Sequence, residues 1–389
     1  MSKFGVSQPV KRVEDTRLLT GAGAYVDDLA WAGQARAYYL RSPVAHARIA
    51  TLNVDAARAL PGVLAVYTAA DLEADGVAPM PAPGFNNRDG SPSAKPPRPV
   101  LAADRVRYVG EAVALVVAET LAIARDAAEA IEFEFDDLDA VVEMPAALGD
   151  GAPQIHEAAP GNLCFDWGLG DEAAADAALA AAARVVRIEL VNNRVVSNPM
   201  ETRGVLARWD DAAGKLTMES NTQGVWDAKR TVSKALGLEP EQVRITTGDV
   251  GGGFGTKGYS YPEQVSIAYA ARALGRPVKW IADRSEGFLS DAMGRDHLTV
   301  AEAAFDADHR ITALKVQTLA GMGAYLSPFA PFIPTGAASK VMPGVYDFQT
   351  IFIGVKGVFT NTTPVDAYRG AGRPESIYML ERLIDKAAR

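Results

Sequence analysis

Apolar and polar residues alternate through much of residues 1–145, which predicts short strands separated by turns. The stretches "ARAYYLRS" and "GVLAVYT" predict two strands, and the Pro/Gly/Asn-rich segment 77–99 predicts a long surface loop. After this loop "VRYVGEAVALVVAET" predicts a strand, and "LAIARDAAEAIEFEF" changes from helical spacing to strand alternation. Residues 1–145 are therefore predicted to form a mixed α/β unit.

A second unit is predicted for residues 146–389, because the stretch "GDGAPQIHEAAPGN" is typical of a linker. The Ala-rich "DEAAADAALAAAARVVRIEL" predicts a helix that leads into a strand. The stretch "KLTMESNTQGVWDAKRTVSKALG" predicts strand, turn and helix, with Asn221 and Thr222 as helix caps, and "QVRITTGDV" predicts another strand. Strands and helices mix without strict βαβ alternation, which favours an α+β fold.

Charge and hydropathy exclude several classes of function. The formal net charge is −9 and the basic residues are scattered, so the sequence carries no basic patch for a nucleic acid or an anionic membrane. The N-terminus lacks the apolar core of a signal peptide, and the best apolar run, "AVALVVAETLAIA", is too short to span a bilayer. We therefore expect a cytoplasmic protein that binds neither nucleic acid nor membrane.

Cysteine and histidine content limits the metal chemistry of the chain. The single cysteine, Cys164, excludes an internal disulfide and an iron–sulfur cluster held by this chain alone, and we interpret it as a small buried hydrophobic residue. The four histidines are far apart and show no metal-ligand spacing.

A glycine-rich stretch, "GDVGGGFGTKG", contains "GFGTKG", which fits the dinucleotide fingerprint G-x-G-x-x-G. A strand precedes it, a helix follows, and the next strand ends near Asp283, which in a Rossmann unit would hold a ribose. However, three residues separate the last glycine from Pro262, which suits a first helical turn, and Asp249 places a negative charge near the expected pyrophosphate. A dinucleotide site, a structural turn and a loop for another cofactor all remain open at this point.

Three glycines before Phe254 would let the backbone approach a bulky ligand and present amide donors to it. Together with "NTQG" upstream and "DAYRGAGRPE" downstream, this stretch resembles the molybdopterin-binding large subunit of the xanthine dehydrogenase / aldehyde oxidase / carbon monoxide dehydrogenase family. The segments "RVEDTRLLTGAGAYVDDL", "RSPVAHARI" and "RYVGEAVALVVAET" extend the resemblance to the N-terminal unit. It implies an α/β hammerhead domain with an N-terminal extension over 1–145 and the first molybdopterin-binding α+β domain over 146–389.

The resemblance also implies an activity and its cofactors. The chain would be part of a cytoplasmic molybdenum hydroxylase that oxidises a C–H bond of an aldehyde or N-heteroaromatic small molecule, with water as the oxygen source. Its cofactor would be molybdenum with molybdopterin, either as such or as the cytosine dinucleotide. Electrons would leave through 2Fe-2S and FAD, carried by a small and a medium partner subunit.

Eight residues from three motifs match positions where the family contacts its cofactor: Gln223, Gly252, Gly253, Phe254, Gly255, Tyr368, Arg369 and Gly370. Gln223 matches the glutamine beside the apical oxygen of molybdenum, where an amide can donate a hydrogen bond to an oxo ligand. Phe254 and Arg369 match main chain that lies against the metal–pterin unit, and no residue is expected to ligate the metal directly. A turn amide, a core ring and a surface arginine are the alternatives for Gln223, Phe254 and Arg369.

At two positions the sequence differs from the family's motifs, and these differences narrow the range of expected substrates. Carbon monoxide oxidisers of the family carry a cysteine after "AYR", whose thiolate suits Cu(I), but this chain has Gly370 there. Purine hydroxylases carry a glutamate after the lysine of the glycine loop, where this chain has Gly258. Neither carbon monoxide nor xanthine is therefore the expected substrate.

The family's large subunit is about twice as long as this chain, whose last residues, "ERLIDKAAR", predict a continuing helix. We expect a C-terminal half, either on a second polypeptide or lost from a fragment, to supply further pterin contacts and the general-base glutamate. No residue of this chain is therefore predicted to be catalytic; Glu201, with Arg203 as a possible partner, is interpreted as structural. The alternatives are a cofactor-free scaffold of the same family and an NAD-dependent dehydrogenase.

Overall fold

The structure, a computed structural model, describes residues 11–389; the first ten residues, which carry part of the signal-peptide argument, lie outside it. Its strands are β1 (Ala35–Arg41), β2 (Ala47–Asn53), β3 (Val63–Tyr67), β4 (Arg105–Val106), β5 (Ala112–Ala118), β6 (Glu132–Asp137), β7 (Leu163–Gly170), β8 (Arg184–Asn192), β9 (Gly204–Asp210), β10 (Lys215–Ser220), β11 (Val243–Thr246), β12 (Val278–Ile281), β13 (His297–Phe305), β14 (Ile311–Gly323) and β15 (Thr350–Phe359). Its α-helices are α1 (Asp15–Leu19), α2 (Asp55–Arg58), α3 (Ala69–Ala74), α4 (Leu121–Glu129), α5 (Met144–Ala147), α6 (Glu172–Ala181), α7 (Val225–Ala235), α8 (Pro262–Leu274), α9 (Arg284–Ser290) and α10 (Arg373–Ala388).

The larger sheet has seven strands in the order β11-β10-β9-β12-β1-β5-β3, so it contains strands from both parts of the chain. The two parts meet in a parallel pair, in which Ala35 of β1 lies opposite Val278 of β12. The strand β11 pairs in parallel with β10 and forms one edge of the sheet. The glycine-rich loop follows β11 and therefore leaves the sheet at this edge.

A second sheet has five strands in the order β7-β15-β14-β13-β8, and a small antiparallel sheet has the order β4-β2-β6. In the five-stranded sheet β14 and β15 are parallel and the other pairs are antiparallel. Helix α10 contacts β8 and β13, while the Ala-rich α6 contacts β14 and β15. The loop between β15 and α10 carries the "AYRGAG" motif, so this sheet and α10 together position it.

The seven-stranded sheet is covered on both faces by helices. Helices α7 and α8 bury one face, where Trp280 is 1% exposed, and α4 covers the other face over β5. Every residue of β5 is buried, which explains its continuous apolar sequence "AVALVVA", since a strand buried on both faces has no solvent side to alternate with.

A buried network of charged side chains connects β1 to the helices beside the glycine loop. The Arg41 guanidinium lies 2.7 Å from carboxylate oxygens of both Glu263 on α8 and Glu286 on α9. Arg203 pairs with Glu263 at 2.9 Å and with Asp291 at 2.5 Å. These pairs join elements that are distant in sequence, and their charges are almost completely removed from water.

The α+β class predicted from the sequence is confirmed. The predicted caps of α7 are wrong: its N-cap is Gly224, and the Asn221 side chain instead bonds to the N–H of Gly204 and the carbonyl of Thr202. Asn221 is buried between two strands, where backbone groups need partners more than the helix end does. No helix within residues 11–389 has the length and apolar character needed to cross a membrane.

Candidate cofactor site

Three segments that are distant in sequence meet at one surface of the molecule. Gln223 follows the end of β10, the loop 248–258 follows β11, and the loop 366–372 precedes α10. The backbone N–H of Arg369 donates to the carbonyl of Phe254 at 2.7 Å, and the N–H of Gln223 donates to the carbonyl of Lys257 at 2.7 Å. The structure thus brings together all three motifs that carry the predicted site residues.

The side chain of Gln223 is packed against the glycine loop. Its Oε1 accepts a hydrogen bond from the N–H of Gly255 at 3.0 Å, and a methyl group at Gly253 would overlap the same side chain. Because Oε1 is occupied by the loop, the amide Nε2 is the group left to donate outward. Gln223 is exposed, and within residues 11–389 its Nε2 has no hydrogen-bond acceptor.

The backbone of the glycine loop has conformations that favour glycine. Gly252 and Gly255 have φ of +96° and +101°, and Phe254 has the left-handed φ of +51°, which is uncommon for an aromatic residue. The Phe254 ring is 40% exposed, so it is not the core ring that was the alternative interpretation, and the Arg369 guanidinium carbon lies 5.7 Å from its centroid. A strained, exposed aromatic residue between tightly packed glycines is typical of a ligand-contacting loop.

The site presents backbone donors without acceptors. Within the part of the chain that the structure describes, no acceptor is found for the N–H groups of Gly252, Gly253, Phe254 and Gly370. These donors lie in the two loops that meet beside the Gln223 amide, where the loop glycines carry no obstructing side chains. This donor set fits a bulky ligand rich in hydrogen-bond acceptors, such as the phosphate and ring atoms of a pterin cofactor.

Glu201 anchors the glycine loop from behind. Its Oε2 accepts from the N–H of Gly251 at 2.8 Å and lies 2.9 Å from the Nζ of Lys257, whose side chain is 2% exposed. Burial lowers the pKa of Lys257, and the pairing with Glu201 opposes this shift. The interpretation of Glu201 as structural fits these contacts, but its possible partner Arg203 pairs instead with Glu263 and Asp291.

Asp249 at the start of the loop is neutralised by a residue near the N-terminus. The Arg17 guanidinium donates to both carboxylate oxygens, with Nη2 at 2.6 Å from Oδ1, and the N–H of Ala24 donates at 2.7 Å. These hydrogen bonds, that from Arg17 foremost, lower the pKa of Asp249 to about 2. The negative charge that argued against a dinucleotide therefore serves to hold residues 17–24 against the loop.

The topology does not form a Rossmann unit around the glycine loop. A Rossmann crossover joins neighbouring parallel strands, but β11 and β12, which flank α8, are separated in the sheet by β10 and β9. Helix α8 begins at Pro262, beyond the end of the loop, and the carboxylate of Asp283 accepts from the N–H of Glu286 as the N-cap of α9. The dinucleotide alternative thus loses both its strand pair and its proposed ribose ligand.

Cys164 and His156 do not supply a reactive thiol or imidazole group to the site. Cys164 is 1% exposed and burial raises the pKa of its thiol, as expected for a small buried hydrophobic residue. The Nε2 of His156 donates to the carbonyl of Ala324 at 2.6 Å, and burial lowers the pKa of His156 to about 4. Among residues 11–389 no group of three or more His, Cys, Asp or Glu side chains is placed to hold a metal ion.

Asp366 is a residue of the site that the sequence did not reveal. Its carboxylate accepts from the N–H of Ala367 at 2.6 Å and from the N–H of Phe329 at 3.1 Å, and the residue is 1% exposed. It thus ties the loop 366–372 to the segment that carries the 40% exposed ring of Phe329. Burial raises the pKa of Asp366 to about 6.

Replacing Asp366 with asparagine should change the pH dependence of stability. The pKa of Asp366 in the folded protein is about 6, above its ordinary value of 3.8, so the native protein binds more protons between these pH values. The free energy of unfolding should therefore fall by about 3 kcal/mol as pH rises from about 4 to about 6. In Asp366→Asn, which has no proton to lose, this fall should disappear; urea unfolding at a series of pH values measures it.

The matched control for this measurement is Asp306→Asn. Asp306 also accepts from two backbone N–H groups, those of Asp308 and Arg310, but in an exposed turn. This control should keep the wild-type fall between pH 4 and pH 6, because Asp366 is still present. If Asp366→Asn also keeps it, the ionisation of Asp366 is not its origin.

Comparison with known families supports the two parts of the fold. A family model described as "Molybdopterin cofactor-binding domain" matches residues 155–389. A model described as "Aldehyde oxidase and xanthine dehydrogenase, a/b hammerhead domain" matches residues 20–139.

Curated relatives match along almost the whole chain. The carbon monoxide dehydrogenase large chain of Hydrogenophaga pseudoflava is 36% identical over 96% of this chain and 47% of its own length. The nicotine 6-hydroxylase large subunit of Paenarthrobacter nicotinovorans is 35% identical over 99% of this chain and 46% of its own length. The chain therefore spans about half the length of the curated relatives it matches.

Solved structures of related proteins are similar to this chain in fold as well as in sequence. Quinoline 2-oxidoreductase from Pseudomonas putida 86 superposes with a TM-score of 0.90 at 37% identity, over 98% of this chain and 48% of that one. A Cu,Mo-CO dehydrogenase superposes with a TM-score of 0.91 at 33% identity, over 99% of this chain and 49% of that one. The chain belongs to the molybdopterin-binding aldehyde oxidase and xanthine dehydrogenase family of molybdenum oxidoreductases.

Proposed function

We propose that this chain is the part of a molybdenum hydroxylase that holds molybdopterin with its molybdenum. The observation that carries the proposal is the convergence of Gln223, the loop 252–255 and the loop 368–370 on one donor-rich surface. Four backbone N–H groups have no acceptor there within residues 11–389, and the Gln223 amide is exposed beside them. A ligand rich in acceptor atoms would satisfy these donors. When bound, this cofactor supplies two-electron oxidation of a C–H bond with oxygen taken from water.

The eight residues of the site would contact the cofactor in two ways, through side chains and through the main chain. Gln223 would donate from Nε2 toward an oxygen on molybdenum, since its Oε1 is already held by Gly255. Phe254 and Arg369 would lie near the metal without ligating it. The main-chain N–H groups without an acceptor within residues 11–389, those of Gly252, Gly253, Phe254 and Gly370, would contact the pterin. The main chain of Gly255, Tyr368 and Arg369 would lie beside it.

The active enzyme would need further parts. Relatives are named as the large subunit or the gamma subunit of a complex, and this chain spans about half of each relative's length. We place residues 1–145 and 146–389 as its two domains, completed by the C-terminal half of the molybdopterin subunit with the general-base glutamate. A 2Fe-2S small subunit and an FAD medium subunit would remove the electrons, in the cytoplasm. The pterin would be molybdopterin or its cytosine dinucleotide.

The substrate would be an aldehyde or an N-heteroaromatic molecule. Gly370 offers no thiolate for the copper of a carbon monoxide oxidiser, and Gly258 offers no carboxylate to a purine. Gly258 also has no room for a side chain, because a methyl group there would lie 2.9 Å from the carbonyl oxygen of Gly255. The conformation of this turn therefore favours glycine at position 258, and glycine carries no carboxylate.

The proposal is tested by cofactor analysis of the complete assembly, produced together with its maturation machinery. Molybdenum by mass spectrometry and pterin by fluorescence after oxidative release should both be equimolar with this chain. Turnover of an aldehyde or N-heteroaromatic substrate in isotopically labelled water should place the labelled oxygen in the product. A complex containing the nicotine 6-hydroxylase large subunit, matured in the same host, controls for cofactor supply.

Each alternative gives a different outcome of this experiment. A folded assembly without molybdenum and pterin, alongside a loaded control complex, would favour a cofactor-free scaffold and overturn the proposal. Binding of NAD with thermal stabilisation of the chain would favour a dehydrogenase, although the separation of β11 from β12 argues against it.

A further inference from the structure

Two consecutive residues beside the site adopt a conformation that non-glycine residues rarely take. Arg295 and Asp296 have φ of +65° and +70°, and they lie between α9 and β13. Each forms an ion pair: Arg295 with Glu375 at 3.1 Å, and Asp296 with Arg194 at 2.7 Å. The backbone is strained at both residues, and each side chain is held by a buried or half-buried ion pair. This combination indicates that the positions of the Arg295 and Asp296 side chains are functionally important.

The guanidinium of Arg295 forks across two successive carbonyls of the loop 366–372. Nη1 donates to the carbonyl of Tyr368 and Nη2 to that of Arg369, each at 2.9 Å. The guanidinium carbon also lies 4.9 Å from the centroid of the Tyr368 ring. A planar fork with fixed donors can hold two neighbouring peptide units in one orientation, which a single ammonium group cannot do.

Because the peptide bond is planar, this contact also fixes the direction in which the N–H groups of Arg369 and Gly370 point. In a trans peptide the C=O and the following N–H point to opposite sides. With the carbonyl of Tyr368 turned to Arg295, the N–H of Arg369 points away from it, where it meets the carbonyl of Phe254 at 2.7 Å. With the carbonyl of Arg369 also turned to Arg295, the N–H of Gly370 is directed away from Arg295 as well, and it is one of the donors without an acceptor in residues 11–389.

Arg295 is itself held by a buried partner. Its side chain is 11% exposed and that of Glu375, in the first turn of α10, is 5% exposed. The second oxygen of Glu375 has no hydrogen-bond partner within residues 11–389, and Glu375 lines a cavity of about 20 Å³ together with His297. A cavity of this size with polar side chains in its lining can hold one water molecule, which would complete the hydrogen bonds of Glu375.

We propose that Arg295, oriented by Glu375, is a positioning residue that turns the N–H of Gly370 toward the cofactor. The proposal rests on the proposed function, since the cofactor is the acceptor for which this donor is presented. It assigns to Arg295 no contact with the cofactor itself. The role is to set the orientation of two peptide units, and so the loss of the fork should alter the site without removing any of its atoms.

The test compares Arg295→Lys with Arg194→Lys in the complete assembly. Arg194 is the matched control: it lies beside Arg295, pairs with Asp296 and donates to the carbonyl of Thr363 at 2.5 Å, but it does not contact residues 368–370. Amide hydrogen exchange of the peptide covering Arg369 and Gly370 should become about tenfold faster in Arg295→Lys, of the order expected for one lost hydrogen bond. Pterin retained after gel filtration should fall, and the electron paramagnetic resonance signal of the partly reduced metal should change.

Arg194→Lys should leave the exchange, the pterin content and the spectrum as in the wild type, even where it lowers the melting temperature equally. If both variants behave alike, or if Arg295→Lys keeps the wild-type exchange and spectrum, Arg295 has only a general structural role and the proposal is overturned. Absence of pterin from the wild-type assembly would instead overturn the proposed function and with it the role toward the cofactor. Hydrogen exchange would then still decide whether Arg295 holds the loop.

Discussion

Replacing Arg203 with methionine is expected to lower the free energy of unfolding by about 3–5 kcal/mol, because it leaves buried carboxylates without their partner. The guanidinium pairs with Glu263 at 2.9 Å and with Asp291 at 2.5 Å, and its carbon lies 3.7 Å from the centroid of the Tyr261 ring. Methionine keeps much of the packing volume but none of the charge. Urea unfolding at neutral pH measures the loss.

The loss should depend on pH in a defined direction. Although burial alone would raise it, the guanidinium groups of Arg203 and Arg41 hold the pKa of Glu263 well below its usual value of 4.5. A depressed carboxylate pKa contributes stability above the unfolded pKa, and this contribution is lost as pH falls through the folded pKa. The gap between wild type and Arg203→Met should therefore be full at neutral pH and become smaller below about pH 4.

The control is Arg187→Met, which removes a half-exposed arginine from its pair with Glu189. An exposed pair of this kind contributes up to about 1 kcal/mol. If Arg203→Met is no more destabilising than this control, the buried ion pairs of Arg203 do not stabilise the fold more than an exposed pair does.

Gly255→Ala should separate the two loops of the site and remove the cofactor. Gly255 has φ of +101°, and a methyl group there would overlap the carbonyl of Ala367 in the neighbouring loop. The hydrogen bond from Arg369 to Phe254 and that from Gly255 to Gln223 would both be disturbed. We expect a loss of about 2 kcal/mol or more in stability, measured by thermal unfolding, and loss of most of the pterin from the assembly.

The control is Gly237→Ala, which introduces backbone strain without the steric clash expected for Gly255→Ala. Gly237 has φ of +60° at the end of α7, and no atom lies within 4 Å of a methyl group placed there. This control should lose about 1 kcal/mol from the left-handed conformation alone and retain its pterin. If Gly255→Ala retains pterin as Gly237→Ala does, close contact between the two loops is not required for cofactor binding.

Much of the local structure was predictable because it depends on neighbouring residues. The period of "ARAYYLRS" predicts β1, the change of period in "LAIARDAAEAIEFEF" predicts α4 followed by β6, and Pro262 marks the start of α8. The errors arose where a side chain had a choice of partners. Asn221 bonds to β9 and not to the end of α7, and Glu201 pairs with Lys257 and not with Arg203, since these partners approach only after folding.

The sequence by itself determined the elements, the α+β class and the three motifs from which family membership follows. Only the tertiary structure decided that Gln223, Phe254 and Arg369 meet, that β11 and β12 are not neighbours, and that Asp366 and Arg295 hold the loop before α10. The physical reason is the range of the interactions. Periodicity, turns and caps are set by residues a few positions apart, whereas strand order, buried ion pairs and the direction of an unpaired N–H depend on segments that only the folded core brings together.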